Sequence, residues 1–344
     1  MSAAYRWIHR VWYEDAPFGW VLFPPSLLYR ALMTLRSFLY RCKLIRTHKA
    51  AVPVIVVGNI TAGGTGKTPV VIWLVNELRA KGFVPGIVSR GYGGSKSSAA
   101  MRVDVDSDAA VVGDEPVLLA RRGQCPVAVG SDRVKAAAML VYDGVDVIVA
   151  DDGLQHLRLQ RDYEICVIDG ARGLGNRLLL PAGPLRELPS RLEEVDQVLV
   201  NGSIENAGPD VTTAEQNAMS FELRASDAVR LNGSLARPLE RFSDTTVHAV
   251  AGIGNPQRFF DLLRSYGIQV IEHSFSDHAP IPKAELEYRD DFEVFMTEKD
   301  AVKLGRKLAD KFWYIPVDLS MDSVNSAPLI EQIESRLRDC RDRR

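Results

Sequence analysis

The stretch Val54-Ile-Val-Val-Gly58-Asn-Ile-Thr61-Ala-Gly63-Gly64-Thr65-Gly66-Lys67-Thr68 leaves a chain few choices of fold. It reads as a buried strand, a glycine-rich turn and the first turn of a helix, which is the grammar of a phosphate-binding loop. In such a loop the backbone N–H groups at Gly63, Gly64, Thr65 and Gly66 surround phosphates, Lys67 reaches the terminal ones, and the Thr68 hydroxyl ligates Mg²⁺. In strict register the first glycine of G-x-x-x-x-G-K-[ST] falls on Thr61, so the textual match departs at that position. A merely flexible glycine loop would leave unexplained why Lys67, Thr68 and Pro69 stand together where a helix begins. The fold expected around it is α/β, a mostly parallel P-loop NTPase-type sheet with helices on both faces, and the ligand expected is a nucleoside triphosphate.

Composition narrows the rest. At 344 residues the chain is long for one core and suggests two domains. A formal net charge of -2 gives no field for nucleic acid, and no basic block interleaved with aromatics resembles a strand-binding groove. Cys42, Cys125, Cys166 and Cys340 are far apart and form no C-x-x-C pair, which suits reduced thiols and predicts no structural metal.

Residues 1–50 read as an N-terminal helical segment. Arg6, Trp7, His9, Arg10 and Trp12 precede an apolar run from Phe18 to Phe23, too short to span a bilayer and lacking a small-x-small cleavage site after it. With Ser26 as the expected N-cap, Leu27, Leu28, Ala31, Leu32, Leu35, Phe38, Leu39 and Cys42 recur at helical spacing. Arg30, Arg36, Arg41, Lys43, Arg46 and Lys49 fall in a stretch, between Asp15 and Glu77, without one acidic residue. Two readings stay open: a helix lying in the face of an anionic membrane, or one packed on the sheet with its arginines in water.

From 51 to about 215 apolar runs alternate with helical patterns. The strand Val84–Ser89 opens into Arg90-Gly-Tyr92-Gly-Gly94, and Arg90 and Tyr92 are site candidates because they leave the strand end where ligands gather. Gly113-Asp114-Glu115-Pro116 precedes a helix, where an acidic residue is as readily a cap as a catalyst. The strand Val145–Ala150 ends in Asp151-Asp152-Gly153, and adjacent carboxylates there resemble the acid that holds Mg²⁺ beside a phosphate loop. Gln155, His156 and Arg158 follow, then a strand Tyr163–Asp169, the rigid segment Leu180-Pro-Ala-Gly-Pro-Leu-Arg186-Glu187, a helix near Arg191 and a strand Val195–Val200. The polar residues Ser203–Thr213 are expected to close the first domain.

A smaller α/β unit is expected over 216–321, with a C-terminal helix over 322–344. Its lone Gly252-Ile-Gly254 is read as packing and not as a second nucleotide site. Ser276-Asp277-His278 ends one strand, and Thr297-Glu298-Lys299-Asp300 ends another. The latter only superficially resembles a guanine-reading motif, its lysine being one place late.

Together, Asn59-x-Thr61-x-Gly-Gly-Thr-Gly-Lys67-Thr68-Pro69, Ser89-Arg90-Gly-Tyr92-Gly, Gly113-Asp114-Glu115-Pro116, Asp151-Asp152-Gly-x-Gln155-His156 and Leu180-Pro-Ala-Gly-Pro-x-Arg186-Glu187 resemble the tetraacyldisaccharide 4′-kinase family, over nearly the whole chain. The family pattern itself carries a threonine where Thr61 stands. The resemblance implies an ATP- and Mg²⁺-dependent kinase acting on the 4′-hydroxyl of a tetraacyl disaccharide 1-phosphate, a lipid A precursor of Gram-negative bacteria. It implies two α/β/α domains joined by a two-stranded linker, for which Ala218–Leu231 and Phe312–Leu319 are the expected strands, and a peripheral position on the cytoplasmic face of the inner membrane, which the amphipathic segment 1–50 is then expected to face.

On that resemblance Lys67 stabilises the β/γ-phosphates, and Thr68 with one or both of Asp151 and Asp152 holds Mg²⁺. Asp114 becomes the general base, with His278 orienting it or sharing its proton. Gln155, Arg186 and Glu187 become substrate or nucleotide contacts. Neither nucleic acid nor an obligate protein partner is expected. The rival reading is a membrane-associated regulatory ATPase of the partitioning type, although Ala62 stands where those proteins carry a lysine. A metal-centre accessory GTPase is a third, weakened by the absence of His/Cys clusters.

Overall fold

The structure is a computed structural model that describes residues 3–14, 19–92, 94, 99–208, 210–211, 218–304 and 310–342. Phe18 and parts of the 203–213 loop therefore lie outside the described residues.

The strand of the glycine loop is the centre of the larger sheet. All of Val54–Gly58 (β1) is buried. Ile55 and Val57 face one apolar layer while Val54 and Val56 face the other, the alternation that a strand covered on both sides requires. In chain order there follow Pro85–Ser89 (β2), Met101–Val103 (β3), Val127–Val129 (β4), Val147–Asp151 (β5), Tyr163–Asp169 (β6), Gln197–Asn201 (β7) and Ala218–Ala225 (β8). The second sheet takes Ala228–Arg230 (β9), Ala236–Arg237 (β10), Thr246–Ala251 (β11), Gln269–Ser274 (β12), Glu293–Thr297 (β13) and Phe312–Ile315 (β14), after which Val317–Ser320 (β15) returns to the first.

The larger sheet runs β15-β8-β7-β6-β1-β5-β2-β4-β3. From β8 to β4 its pairings are parallel, and antiparallel β15 and β3 close the two edges. The smaller sheet runs β10-β9-β14-β13-β11-β12, with β14, β13, β11 and β12 parallel. In the larger sheet β1 lies between β5 and β6, so connections diverge on either side of it and a crevice opens at its carboxyl end.

The two joining strands differ from their expected extents. The stretch 218–231 is broken between Ala225 and Ala228, and 312–319 is broken at Pro316, so each serves both sheets. Pro316 has no N–H to give a ladder, and its carbonyl instead accepts from the backbone N–H of Ser226 at 2.9 Å. The helix expected near Arg191 is a short 3₁₀ turn, Pro189–Glu193.

The N-terminal segment corrects the expected cap at Ser26 and bears on the two readings left open. Its helices are Ala3–Tyr13 and Phe23–Arg41, and the second begins before Ser26, because Pro24 and Pro25 fit a first turn whose N–H groups need no intrahelical partner. Ser26 is therefore no cap; its buried hydroxyl donates to the Leu179 carbonyl at 2.8 Å. The face turned to the protein is the polar one. Tyr29 Oη donates to the Arg186 carbonyl at 3.0 Å, Arg36 to the Gln155 carbonyl at 2.9 Å, and Arg41 pairs with Glu194 at 2.7 Å. Leu28, Leu32, Leu35 and Phe38, on the opposite face, remain 63, 57, 54 and 56 % exposed.

Candidate active site

The carboxyl ends of β1, β2 and β5, the loop 180–187 and the edge of the smaller sheet surround one cavity of about 970 Å³. Gly63, Gly64, Gly66, Lys67 and Thr68 form part of its wall. Gly66 sits at φ 96°, a left-handed conformation, and a Cβ there would meet Asn201 Nδ2 at 3.2 Å and Leu223 Cδ1 at 3.3 Å. Only glycine turns the chain into the helix Lys67–Ala80 at this point. The loop is held from outside: Arg172 donates to the Gly64 carbonyl and pairs with Asp169 at 2.8 Å. Thr65 Oγ1 and Asn59 Oδ1 are buried without a partner, polar capacity beside the loop that its own side chains leave unused.

Opposite the loop, Lys67 Nζ lies 3.5 Å from Asp152 Oδ1. Arg186 reaches both Asp152 oxygens, at 3.1 and 3.2 Å. Burial alone would raise the Asp152 carboxyl, but Lys67, Arg186 and Arg133 outweigh it and hold the group at about 2. Asp151, fully enclosed and bonded by Ser89 Oγ at 3.1 Å, goes the other way: burial, then Glu115 and Asp152, push it up to about 7. A hard divalent cation beside the pair would hold both as carboxylates. Oxygen donors alone, with the Thr68 hydroxyl in the same cavity, match Mg²⁺, which takes one or two carboxylates and completes its shell with phosphate and water. Among the described residues no cluster of three or more His, Cys, Asp or Glu side chains is arranged to hold a metal by itself.

The third group crosses from the smaller unit. His278, at φ 59°, brings Nδ1 to 3.0 and 3.2 Å from the Asp114 oxygens. Asp114 begins the helix Asp114–Gly123, accepts from the Glu115 N–H at 2.9 Å and lies 3.5 Å from Lys303 Nζ. Burial would raise its carboxyl, yet the His278 hydrogen bond and the charges of Lys299 and Lys303 bring it down to about 2. His278, Glu115 and Lys299 line the cavity, while Asp114 is buried behind them with 4 % of its surface exposed. Tyr92 meets the His278 ring edge-on at 4.8 Å, and Arg90 lines the same wall.

Gln155 donates to the Asn59 carbonyl at 3.0 Å and to Glu187 Oε1 at 2.6 Å. Glu187 in turn pairs with Arg191 at 3.4 Å, so in this arrangement Gln155 and Glu187 brace the loop 180–187 against the phosphate loop. Sequence reasoning passed over Lys299, Lys303, Arg172 and Ser89. For Lys299 a signal existed in Thr297-Glu298-Lys299-Asp300, set aside because it fits no guanine site.

The sequence pattern of the family described as Tetraacyldisaccharide-1-P 4'-kinase matches residues 18–338. A Tetraacyldisaccharide 4'-kinase of Alkalilimnicola ehrlichii is 52 % identical over 297 residues, 86 % of each chain. One of Nitrosococcus oceani is 45 % identical over 328 residues, covering 95 % of this chain and 94 % of its own. Among solved structures, the "apo" form of LpxK from Aquifex aeolicus in complex with ATP superposes with a TM-score of 0.75 at 26 % identity, over 92 % of this chain and 98 % of its own.

Proposed function

The chain belongs to the tetraacyldisaccharide 4′-kinase family, and on that premise we propose that the Asp114–His278 pair takes the acceptor's proton while the exposed face of the helix Phe23–Arg41 holds the enzyme on a membrane. The reaction follows from the family: the enzyme moves the γ-phosphate of ATP, with Mg²⁺, to the 4′-hydroxyl of a tetraacyl disaccharide 1-phosphate. The regulatory-ATPase reading loses its ground with that membership.

Phosphoryl transfer asks a protein mainly to position its substrates and to neutralise charge. Lys67 is placed to meet the β/γ-phosphates, and Thr68 with Asp151 and Asp152 would hold Mg²⁺, which supplies charge neutralisation on the phosphate oxygens. Arg186 keeps Asp152 ionised and aimed. The sugar hydroxyl gives up its proton late, and Asp114 receives it as general base with His278 orienting it. One observation carries this assignment: the bond at 3.0 Å between His278 and Asp114, closed across the cleft on the cavity that also contains Lys67 and Thr68. Closure of that cleft excludes water, which limits loss of ATP to hydrolysis. The test is transfer of label from γ-labelled ATP to the disaccharide in detergent, with Asp114→Asn beside the parent chain. Lipid product formed at the parent rate by the variant would overturn the base assignment.

Leu28, Leu32, Leu35 and Phe38 face away from the protein, with the exposed Arg30, Lys43, Arg46 and Lys49 nearby, an arrangement suited to the acyl boundary of an anionic bilayer. Among the described residues no helix is long and apolar enough to cross a membrane. A tetraacyl substrate favours a surface enzyme, since each methylene drawn from the bilayer costs about 0.8 kcal/mol. We place the enzyme peripherally on the cytoplasmic face of the inner membrane. Each leucine buried in lipid contributes about 1.5–3 kcal/mol, so the double substitution Leu28→Glu with Leu35→Glu is expected to weaken flotation with anionic vesicles by roughly 100-fold or more. Phosphorylation of detergent-dispersed substrate should persist. Unchanged flotation would remove the helix from the membrane.

A further inference from the structure

The motif Thr297-Glu298-Lys299-Asp300 has a place in this structure that the reaction as described does not use. Asp300 is wholly buried and is the anchor: it accepts from Thr297 Oγ1 at 2.6 Å and from the Gly252 N–H at 2.8 Å, and it pairs with Lys303 at 2.8 Å. These contacts fix the start of the helix Glu298–Leu304 and aim Lys299 across the cleft. Its ammonium, 15 % exposed, meets Asp277 Oδ1 at 3.1 Å, Glu115 Oε1 at 3.2 Å and His278 Nε2 at 3.2 Å.

The donor count decides what this does. An ammonium has three N–H donors and no acceptor, and the three neighbours use all three donors. Burial works against the charge, but Glu115, Asp277 and Asp114 more than offset it and hold Lys299 protonated. Nε2 must therefore accept, which leaves the ring hydrogen on Nδ1, the nitrogen bonded to Asp114. We propose that Lys299 is a positioning residue that fixes the tautomer of His278, so that Nδ1–H always points at Asp114. The inference rests on the Asp114–His278 reading.

His278 is met by Asp114, Lys299, Asp277 and Tyr92, while Glu115 and Lys303 reach it only through Lys299 and Asp114, and Arg90 lines the same cavity. Without the ammonium nothing holds the ring hydrogen on Nδ1, and with that hydrogen on Nε2 the Nδ1 lone pair would face the Asp114 carboxylate instead of donating to it. The bond between them, and kcat with it, should then weaken.

The experiment measures kcat in detergent for the full chain and for Lys299→Met and Lys299→Arg. Lys299→Met is expected to lower kcat by about tenfold or more, while Lys299→Arg, which keeps charge and donors, recovers most of that loss. The KM for ATP should hold in both. In a His278→Gln background Lys299→Met should cost less than about twofold further, because positions that act through one another do not add. ¹⁵N spectra of the six histidines should show one ring leaving the Nδ1–H form in Lys299→Met. A loss undiminished in the His278→Gln background, or one that leaves every histidine ring in its original form, would make Lys299 a structural residue and overturn the inference. Asp114→Asn at full rate would instead remove the reading on which it rests.

Discussion

Asp114→Asn is expected to lower kcat for lipid phosphorylation by about 10²–10⁴-fold while leaving the KM for ATP within about twofold. Asparagine keeps the shape and one carbonyl oxygen, so the Glu115 N–H at 2.9 Å retains its acceptor. Lys303 keeps Asp300 at 2.8 Å, so no buried ammonium is stranded and the fold should survive. What asparagine cannot do is take a proton. Held at about 2, the carboxylate is a weak base, which suits a loose transition state: it accepts only once bond formation to phosphorus has made the sugar oxygen acidic. The sign for pH follows. A carboxyl depressed from 3.8 to about 2 is ionised throughout neutral and mildly acidic conditions, so an acidic limb near neutrality must come from another group. A greater loss for His278→Gln than for Asp114→Asn would transfer the acceptor role to the imidazole, which lines the cavity while Asp114 stands behind it.

What the sequence made legible was written in consecutive residues. The glycine loop, the Asp151-Asp152 pair and the Arg90–Tyr92 turn each follow a buried strand, and parallel strands deliver such ends to one edge. Lys299 was illegible for the opposite reason. Its partner Glu115 is 184 positions away and Asp114 is 164 from His278, and no local pattern encodes a pairing made by two sheets closing on each other. The helix Phe23–Arg41 was legible only in part. Its period gave the two faces correctly, but amphipathicity cannot say which face meets the protein, and here Ser26, Tyr29 and Arg36 bind backbone carbonyls while the leucines face out. The stretch Phe312–Leu319 reads in sequence as one strand, and the break at Pro316, where the chain crosses between sheets, emerges only from the pairing partners on either side.

Lys67→Met should cost about 10³-fold in kcat, the scale of removing one preorganised charge from the transferring group. Methionine keeps an unbranched stem of similar length, and the local electrostatics stay tolerable, since Arg186 still contacts both Asp152 oxygens at 3.1 and 3.2 Å. Lys67→Arg should restore little, because a planar guanidinium cannot replace a compact ammonium inside a loop shaped by Gly63 and Gly66. The two sides of the site then separate by what else is lost. Lys67 acts on the phosphates, so its removal should depress slow ATP hydrolysis in the absence of lipid as strongly as lipid phosphorylation. Asp114 acts on the acceptor oxygen, so Asp114→Asn should spare that hydrolysis. Measuring both activities in both variants checks this directly: hydrolysis at the parent rate in Lys67→Met would place the lysine outside phosphate stabilisation, whereas equal loss of both activities in Asp114→Asn would make Asp114 part of the nucleotide site and leave the acceptor's proton to another group.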